Sequence, residues 1–273
     1  MTDPQVASHY AYNDLYEAIV QALHHAGIPE DKVARKDIAA IDEFHVRGQE
    51  VSRELAIAAG IQPGMRILDA GCGLGGACRM LADEFGCDVT GVDITEDYIR
   101  SATLLSALTG LQHKTRFVHG SVLSLPFNDK SFDVVWTQHV QMNIADKKTF
   151  YAEMGRVLIT GGRLAYYDIL SHDHLPIQFP VPWAADENIS FLITSGELHA
   201  LLQQAGFHRI HTTNESAKGI AFFDNLFSRI SKKGLPALGL HMLMGDTAME
   251  KLRNLYSNLI NGCIVLESGI YQL

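Results

Sequence analysis

From residue 65 onward, short apolar runs alternate with segments in which apolar residues recur at helical spacing. These two patterns predict the strands and helices of the chain. Short apolar runs bounded by turn residues predict seven strands, at 66–70, 88–93, 115–119, 132–137, 163–169, 207–212 and 263–271. Helical spacing predicts helices at 75–85, 96–109, 146–158 and 195–205, the third of them ending at Gly161-Gly162. Regular alternation of strand and helix indicates an α/β fold with a Rossmann-like, doubly wound, mostly parallel seven-stranded sheet.

Two further helical regions flank this alternation, one before the first strand and one before the last. Residues 11–26 and 37–59 carry apolar residues at helical spacing, with a break near Gly48. Residues 222–230 and 249–259 form two more apolar helical faces, which either cover the carboxyl edge of the sheet or extend the core. The expected domains are an N-terminal helical cap or lid, 1–63, and a core, 64–273, with a helical insertion at 214–262.

The turn after the first predicted strand has the features of a nucleotide site. Residues 67–76 read Ile-Leu-Asp-Ala-Gly-Cys-Gly-Leu-Gly-Gly, and glycine lets the backbone approach a ligand closely. Asp69 is badly placed for a pyrophosphate, because like charges repel, and suits a cationic ligand. Asp93, at the end of the second strand, can accept both hydroxyls of an adenosine ribose. The two carboxylates together favour S-adenosylmethionine, although the glycine spacing also fits a dinucleotide.

Composition and charge narrow the range of partners. The 273 residues carry a formal net charge of −9, which argues against nucleic acid, because phosphate binding needs a basic surface. No apolar run is long enough to span a bilayer, and the first residues lack a secretory signal, so we expect a cytoplasmic protein. The four cysteines form no C-x-x-C pair and are expected to be free thiols. We expect a small-molecule substrate as partner, and a homodimer stays open.

Five motifs occur in the order and spacing of a known family. They are residues 68–76, Asp93, Leu125-Pro126-Phe127, residues 131–135, and Arg156-Val157-Leu158 with Gly161-Gly162. Over roughly residues 64–213 the chain resembles the class I S-adenosylmethionine-dependent methyltransferases. Three further segments, 44–48, 136–143 and 180–184, resemble the sarcosine/dimethylglycine methyltransferase-like group of small-molecule enzymes.

The resemblance implies S-adenosyl-L-methionine as cofactor and S-adenosyl-L-homocysteine as product. The implied cofactor-binding residues are Asp69, Gly71, Cys72, Gly73, Asp93, Ile94, Ser121, Val122, Gln138 and Arg47. Ser121 stands where the family often has an acid, and its hydroxyl is a weaker acceptor for the adenine amino group. Arg47 is expected to reach a carboxylate of the cofactor or of an amino-acid substrate, within a mobile lid formed by residues 44–48.

Methyl transfer from a sulfonium needs positioning and water exclusion, and a base helps an acceptor that must lose a proton. His139 is the candidate base, or else it bonds the backbone or lines the cofactor pocket. Asp168 is the second catalytic candidate, orienting a base or binding a substrate ammonium, or else it is a solvated strand-end carboxylate. The candidate substrate-binding residues are Gln141, Asn143 and Trp183. No metal site is predicted, because the histidines of residues 172–174 have no evident third ligand.

The methyl acceptor is expected to be a small amine such as sarcosine or dimethylglycine, to be N-methylated. O- or C-methylation of a phenolic, sugar or prenyl acceptor is the alternative, because kinship of fold does not fix the substrate. A nicotinamide-dependent oxidoreductase and a non-catalytic cofactor-binding protein remain as the competing classes.

Overall fold

The computed structural model describes residues 3–10 and 14–273, which form a seven-stranded sheet flanked by helices. The strands are β1 (Arg66–Ala70), β2 (Asp88–Asp93), β3 (Thr115–His119), β4 (Phe132–Gln138), β5 (Leu158–Ser171), β6 (His208–Asn214) and β7 (Ile264–Gln272). The helices are α1 (Asp3–Tyr10), α2 (Leu15–His25), α3 (Arg35–Asp42), α4 (Gln49–Ala58), α5 (Gly76–Phe85), α6 (Glu96–Leu108), α7 (Lys147–Val157), α8 (Ser195–Gln204), α9 (Ser216–Lys233), α10 (His241–Met244) and α11 (Ala248–Ile260). Residues 11–13, where the first helical region is predicted to begin, lie outside the described residues.

The strands follow the order β3-β2-β1-β4-β5-β7-β6 across the sheet. Strands β1 to β5 run parallel, whereas β7 runs antiparallel to both β5 and β6. The chain winds from β1 outward to β3 and then returns to β4 on the other side of β1. Ligands of open α/β sheets bind at the carboxyl edge beside such a reversal. The predicted mostly parallel, seven-stranded α/β fold is confirmed.

The boundary between α7 and β5 differs by several residues from its prediction. Gly161-Gly162 lies inside β5 and does not end α7, which stops at Val157. The pairing of β4 with β5 shifts register between Phe132 and Val134, and Gly161 adopts a φ of 78° in the extra stretch of β5. A bulge of this kind lengthens one strand relative to its neighbour. The apolar spacing of α7 continues into Leu158, so the pattern alone could not locate the boundary.

Apolar side chains cover both faces of the sheet. In β5, Ala165 and Tyr167 belong to one core and Leu164 and Tyr166 to the other, as the alternation of a strand requires. Helices α4, α5, α9 and α11 pack on the first face, and α7 and α8 pack on the second. Within residues 3–10 and 14–273, no helix combines the length and the apolarity needed to cross a membrane.

The N-terminal helices are anchored to the sheet layer by a buried ion pair. The guanidinium of Arg79, on α5, is fully buried and pairs with both carboxylate oxygens of Asp42, at the end of α3. It also donates to the Ala102 carbonyl at 3.1 Å and to the Ser106 hydroxyl at 3.2 Å. A methyl group at Gly76 would collide with the Asp42 carbonyl oxygen, so α3 ends directly against the start of α5.

We expect Asp42→Ala to lower the free energy of unfolding by about 3–5 kcal/mol, because it leaves the buried Arg79 charge without its partner. The control is Glu17→Ala, which breaks the exposed pair between Glu17 and Arg100 and should lower it by about 1 kcal/mol or less. Urea unfolding followed by circular dichroism measures both losses. Equal losses in the two variants would contradict the anchoring role.

Candidate functional site

A cavity of about 930 Å³ lies at the carboxyl edge of the sheet, beside the winding reversal. The turn after β1 and the ends of β2 and β4 form its floor, and the α3–α4 connection and helices α9 to α11 form its walls. This volume is in the upper part of the range of small-molecule sites, about 300–1,000 Å³. Helices α9 to α11 line the cavity, and they also contribute Phe223, Leu252 and Leu255 to the core. They therefore both cover the carboxyl edge of the sheet and extend the core, which were the two alternatives from the sequence.

The glycine turn between β1 and α5 has a backbone that other residues could not adopt without strain. Gly71, Gly73 and Gly75 have φ values of 83°, 52° and 78°. The Gly71 N–H donates to the Val92 carbonyl at 2.8 Å, which ties the turn to β2. A side chain at Gly71 would also collide with Val140, on the turn after β4. The glycines therefore bring three strand ends together around the cavity floor.

Two carboxylates lie on this floor, at the ends of β1 and β2. Asp93 accepts the N–H of Gly73 and the N–H of Thr95, both at 2.9 Å, and each of its oxygens keeps a lone pair for a ligand. Asp69 accepts the thiol of Cys78 at 3.2 Å. Burial raises the pKa of Asp69 to about 7 and also raises the pKa of Asp93. A cationic ligand would stabilise the ionised form of both groups.

All ten residues predicted to bind the cofactor line this cavity. Ile94, Ser121 and Val122 follow β2 and β3, on the side of the cavity next to Asp93. Burial raises the pKa of the Cys72 thiol to about 11, so this side chain packs as a small neutral group. The placement agrees with the predicted set, and the role of each residue stays a prediction.

Arg47 has different partners from those expected. Its guanidinium donates to Glu50 at 2.9 Å, to Glu54 at 2.8 Å and to Glu215 at 3.0 Å. The charge is thus satisfied within the protein, and the expected contact with a ligand carboxylate stays a prediction. Glu215 precedes α9 and is distant in sequence, so no local pattern indicated that it returns to Arg47. The ion pairs fix the start of α4 to the start of α9.

His139 lies at the cavity on the turn after β4, with a φ of 52°. Its ring stacks on Tyr167, with centroids 5.1 Å apart, and meets His45 edge-on at 5.9 Å. Burial, with a smaller contribution from His45, lowers the pKa of His139 well below 6.5, so the ring is neutral at physiological pH. Its Nε2 is buried and has no hydrogen-bond partner among the described residues. A left-handed, non-glycine residue with an unpaired ring nitrogen is typical of a functional position.

Asp168 and Gln141 lie behind the cavity and do not line it. Asp168 is fully buried and accepts the N–H of Val140 at 3.1 Å, and burial raises its pKa well above the usual range. The Gln141 side chain donates to the Ile169 carbonyl at 2.8 Å. Both side chains bind the backbone, so Asp168 is not the solvated strand-end carboxylate of the alternative. Contact of either side chain with substrate, or orientation of a base by Asp168, stays a prediction. The two side chains hold the turn that carries His139.

Asn143 and Trp183 do line the cavity and are joined to each other. The Asn143 amide donates to the Trp183 carbonyl at 2.9 Å, and its oxygen accepts the hydroxyl of Tyr10 at 3.1 Å. Tyr10 comes from α1, a helix that the sequence pattern did not predict. Tyr10 also lines the cavity, and is a site residue that sequence reasoning missed.

A buried polar cluster of Glu43, His45, Ser52 and Gln138 was also missed in part. Ser52 donates to Glu43 Oε2 at 2.6 Å, His45 Nε2 lies 3.1 Å from the same oxygen, and the Gln138 amide donates to Ser52 at 3.2 Å. Within the part of the chain that the structure describes, Glu43 Oε1 is buried without a hydrogen-bond partner. Polar residues on a helical pattern are expected to face solvent, so no signal marked Glu43 or Ser52.

The 172–174 segment lies apart from the cavity on an exposed loop. His172 Nδ1 lies 2.8 Å from the Gly262 carbonyl oxygen, and His174 pairs with Glu197 at 3.1 Å. Across residues 3–10 and 14–273, no group of three or more His, Cys, Asp or Glu side chains is arranged to hold a metal ion.

Comparison with known proteins assigns the central part of the chain. Residues 68–166 match the family model of a methyltransferase domain. A sterol 24-C-methyltransferase from Gibberella zeae is 38% identical over 119 residues, which cover 44% of this chain. The chain spans 31% of the length of that relative.

Two solved structures share the fold along most of the chain. A structure from Galdieria sulphuraria, described as a candidate sarcosine dimethylglycine methyltransferase, has a TM-score of 0.71 at 17% identity and covers 94% of this chain and 98% of its own. Phosphoethanolamine N-methyltransferase 2 of Haemonchus contortus, bound to S-adenosylhomocysteine, has a TM-score of 0.73 at 17% identity. The match covers 93% of this chain and 59% of that one. Residues 68–166, which contain the glycine turn, thus match a methyltransferase domain, and the fold shared with these structures continues along most of the rest of the chain.

Proposed function

We propose that this chain transfers a methyl group from S-adenosylmethionine to a small molecule. The observation that carries the proposal is a glycine turn with two carboxylates, Asp69 buried and Asp93 half-buried, on the floor of a cavity. The cavity has room for a second molecule beside the cofactor, since it extends from this floor to helices α9 to α11.

The residues on the cavity floor fit this cofactor. The free lone pairs of Asp93 suit the two ribose hydroxyls, and Asp69 suits the ammonium of the methionyl group. Glu43 lines the same end, and its unpartnered Oε1 provides a further acceptor for an ammonium. Asp69, on the glycine turn, would repel the pyrophosphate of a nicotinamide dinucleotide, which argues against the oxidoreductase alternative.

The chain contributes positioning, water exclusion and proton transfer to this reaction. When bound, the cofactor supplies an electrophilic methyl group on a positively charged sulfur. The apolar walls exclude water, and the glycine turn fixes the direction from which an acceptor approaches. The neutral His139 ring accepts the acceptor's proton at Nε2, which leaves a lone pair available for attack. Asp168 and Gln141 act through the backbone that carries His139.

The nature of the acceptor atom stays a prediction. A small amine such as sarcosine or dimethylglycine was expected, with O- or C-methylation as the alternative. The sterol and phosphoethanolamine enzymes differ widely in the acceptors that their names state, so fold does not select among them. The lid role of residues 44–48 stays a prediction as well, and these residues line the cavity.

We expect S-adenosylhomocysteine, and not NAD, to raise the melting temperature of the protein. Asp93→Ala should weaken S-adenosylhomocysteine binding by about 1.5–3 kcal/mol, the scale of hydrogen bonds to a charged group. Calorimetry measures the affinity, and Glu96→Ala, at an exposed position just beyond Asp93, is the control. Unchanged affinity in folded Asp93→Ala, or stabilisation by NAD alone, would reject the cofactor assignment.

We expect S-adenosylhomocysteine binding to strengthen as the pH rises from about 6 to 8 and to release a proton, because Asp69, with a pKa of about 7, must ionise to pair with the ligand ammonium. The folded-state pKa is raised, so the ligand-free protein should lose stability as the pH rises from about 4 through 7. Asp69→Asn should abolish the pH dependence of binding and reduce the loss of stability, to which the raised pKa values of Asp93 and Asp168 also contribute. Calorimetry in buffers of different ionisation enthalpy counts the protons, and a pH-independent wild-type affinity would contradict this role.

We expect His139→Ala to lower turnover by about 100-fold or more with nearly unchanged S-adenosylhomocysteine affinity, since general-base groups contribute on this scale. The pKa of His139 lies well below 6.5. Protonation of this ring should therefore leave wild-type turnover unchanged at pH 6.5 and reduce it only at a lower pH. Turnover is measured by transfer of labelled methyl to an acceptor found by screening. His172→Ala, on the exposed loop, is the control, and full activity of His139→Ala would remove it from catalysis.

A further inference from the structure

The two ends of the cavity have opposite charge character. Five acidic residues line the cavity on the side of the floor and the α3–α4 connection: Asp42, Glu43, Glu50, Asp69 and Asp93. At the other end, the described lining residues between 222 and 255 include no Asp or Glu, and most are apolar. Their polar side chains are Arg229, Lys233 and His241, which present nitrogen. One end thus suits a cation, and the other suits an apolar molecule with a negative group.

A single face of α9 carries this change from apolar to cationic. Phe222, Leu226, Arg229 and Lys233 follow one another at spacings of four, three and four residues, so they lie in one stripe along the helix. All four line the cavity, the first two partly buried and the last two exposed. The stripe therefore runs from the apolar interior to a cationic mouth. Lys232, the next residue along the chain, lies off this stripe and does not line the cavity.

The two cations at the mouth have no counter-charge of their own. Among the described residues, neither Arg229 nor Lys233 forms an ion pair, although the chain has 31 acidic residues against 22 basic ones. Like charges four residues apart on a helix disfavour it. Arginine and lysine are also the side chains that bind carboxylate and phosphate groups. An anion placed between them would relieve their repulsion.

We infer that the methyl acceptor is an amphiphile, with an apolar body against α9 to α11 and a carboxylate or phosphate held by Arg229 and Lys233 at the mouth. This inference rests on the proposed function, because it places the cofactor at the carboxylate end. The anionic group anchors the far end of the acceptor, while the reacting atom lies toward His139. A small zwitterion would leave the apolar wall uncovered.

Three probes of equal chain length test the anchor: decanoate, decanol and decylamine, titrated calorimetrically into protein saturated with S-adenosylhomocysteine. We expect decanoate to bind tightest and decylamine weakest, with salt weakening only the decanoate complex. Arg229→Gln/Lys233→Gln should weaken decanoate binding by about tenfold, as loss of two exposed charge contacts implies, and leave decanol unaffected. Lys232→Gln is the matched control and should leave all three affinities unchanged.

A second variant locates the probe. Leu226→Trp should fill the apolar end and reduce decanoate binding, while S-adenosylhomocysteine affinity stays at the wild-type value. Equal binding of decanoate and decylamine, or an unchanged decanoate affinity in the double variant, would overturn the inference. The inference would also be overturned if the protein bound phosphatidylglycerol vesicles but not decanoate. Arg229 and Lys233 would then form a membrane contact. Failure to bind S-adenosylhomocysteine would instead reject the proposed function itself.

Discussion

The end of helix α3 lies directly against the first residue of α5, and the rest of the site depends on this contact. The Asp42 carbonyl lies so close to Gly76 that no side chain fits at this position. One turn further along α5, Arg79 binds the Asp42 carboxylate. The chain that leaves Asp42 must then pass over the glycine turn. It thereby brings Glu43 and His45 next to the floor of the cavity. Without this approach the cavity would have no wall on that side.

Much of the fold follows from local patterns, because burial of a strand or a helix face depends on the residues of that element alone. The strand bounds of β1, β2 and β3 agree with the apolar runs to the residue. Asp69 and Asp93 could be located because strand ends in a doubly wound sheet meet at one edge. The boundary at Gly161 could not be located, since apolar spacing continues from α7 into β5.

The remaining site residues depend on contacts between segments far apart in sequence. Asp168 was expected to orient a base or bind substrate, and Gln141 to bind substrate, but the sequence did not show that both side chains bind backbone groups around the turn after β4. The partner of Arg47 at Glu215, and the contact of Tyr10 with Asn143, join elements that no periodicity relates. Such contacts arise from tertiary packing. The spacing of apolar residues along one helix or strand therefore does not predict them.

The position of α9 to α11 in the chain has a consequence for how the protein can change. These helices connect β6 to β7, at the opposite end of the strand order from β2 and β3. The residues around the glycine turn come from segments that end before β5. The wall proposed to contact the acceptor can thus be replaced, lengthened or recombined as one contiguous segment, with the proposed donor half left intact. A scaffold arranged in this way lends itself to divergence in what is methylated while the methyl donor stays the same.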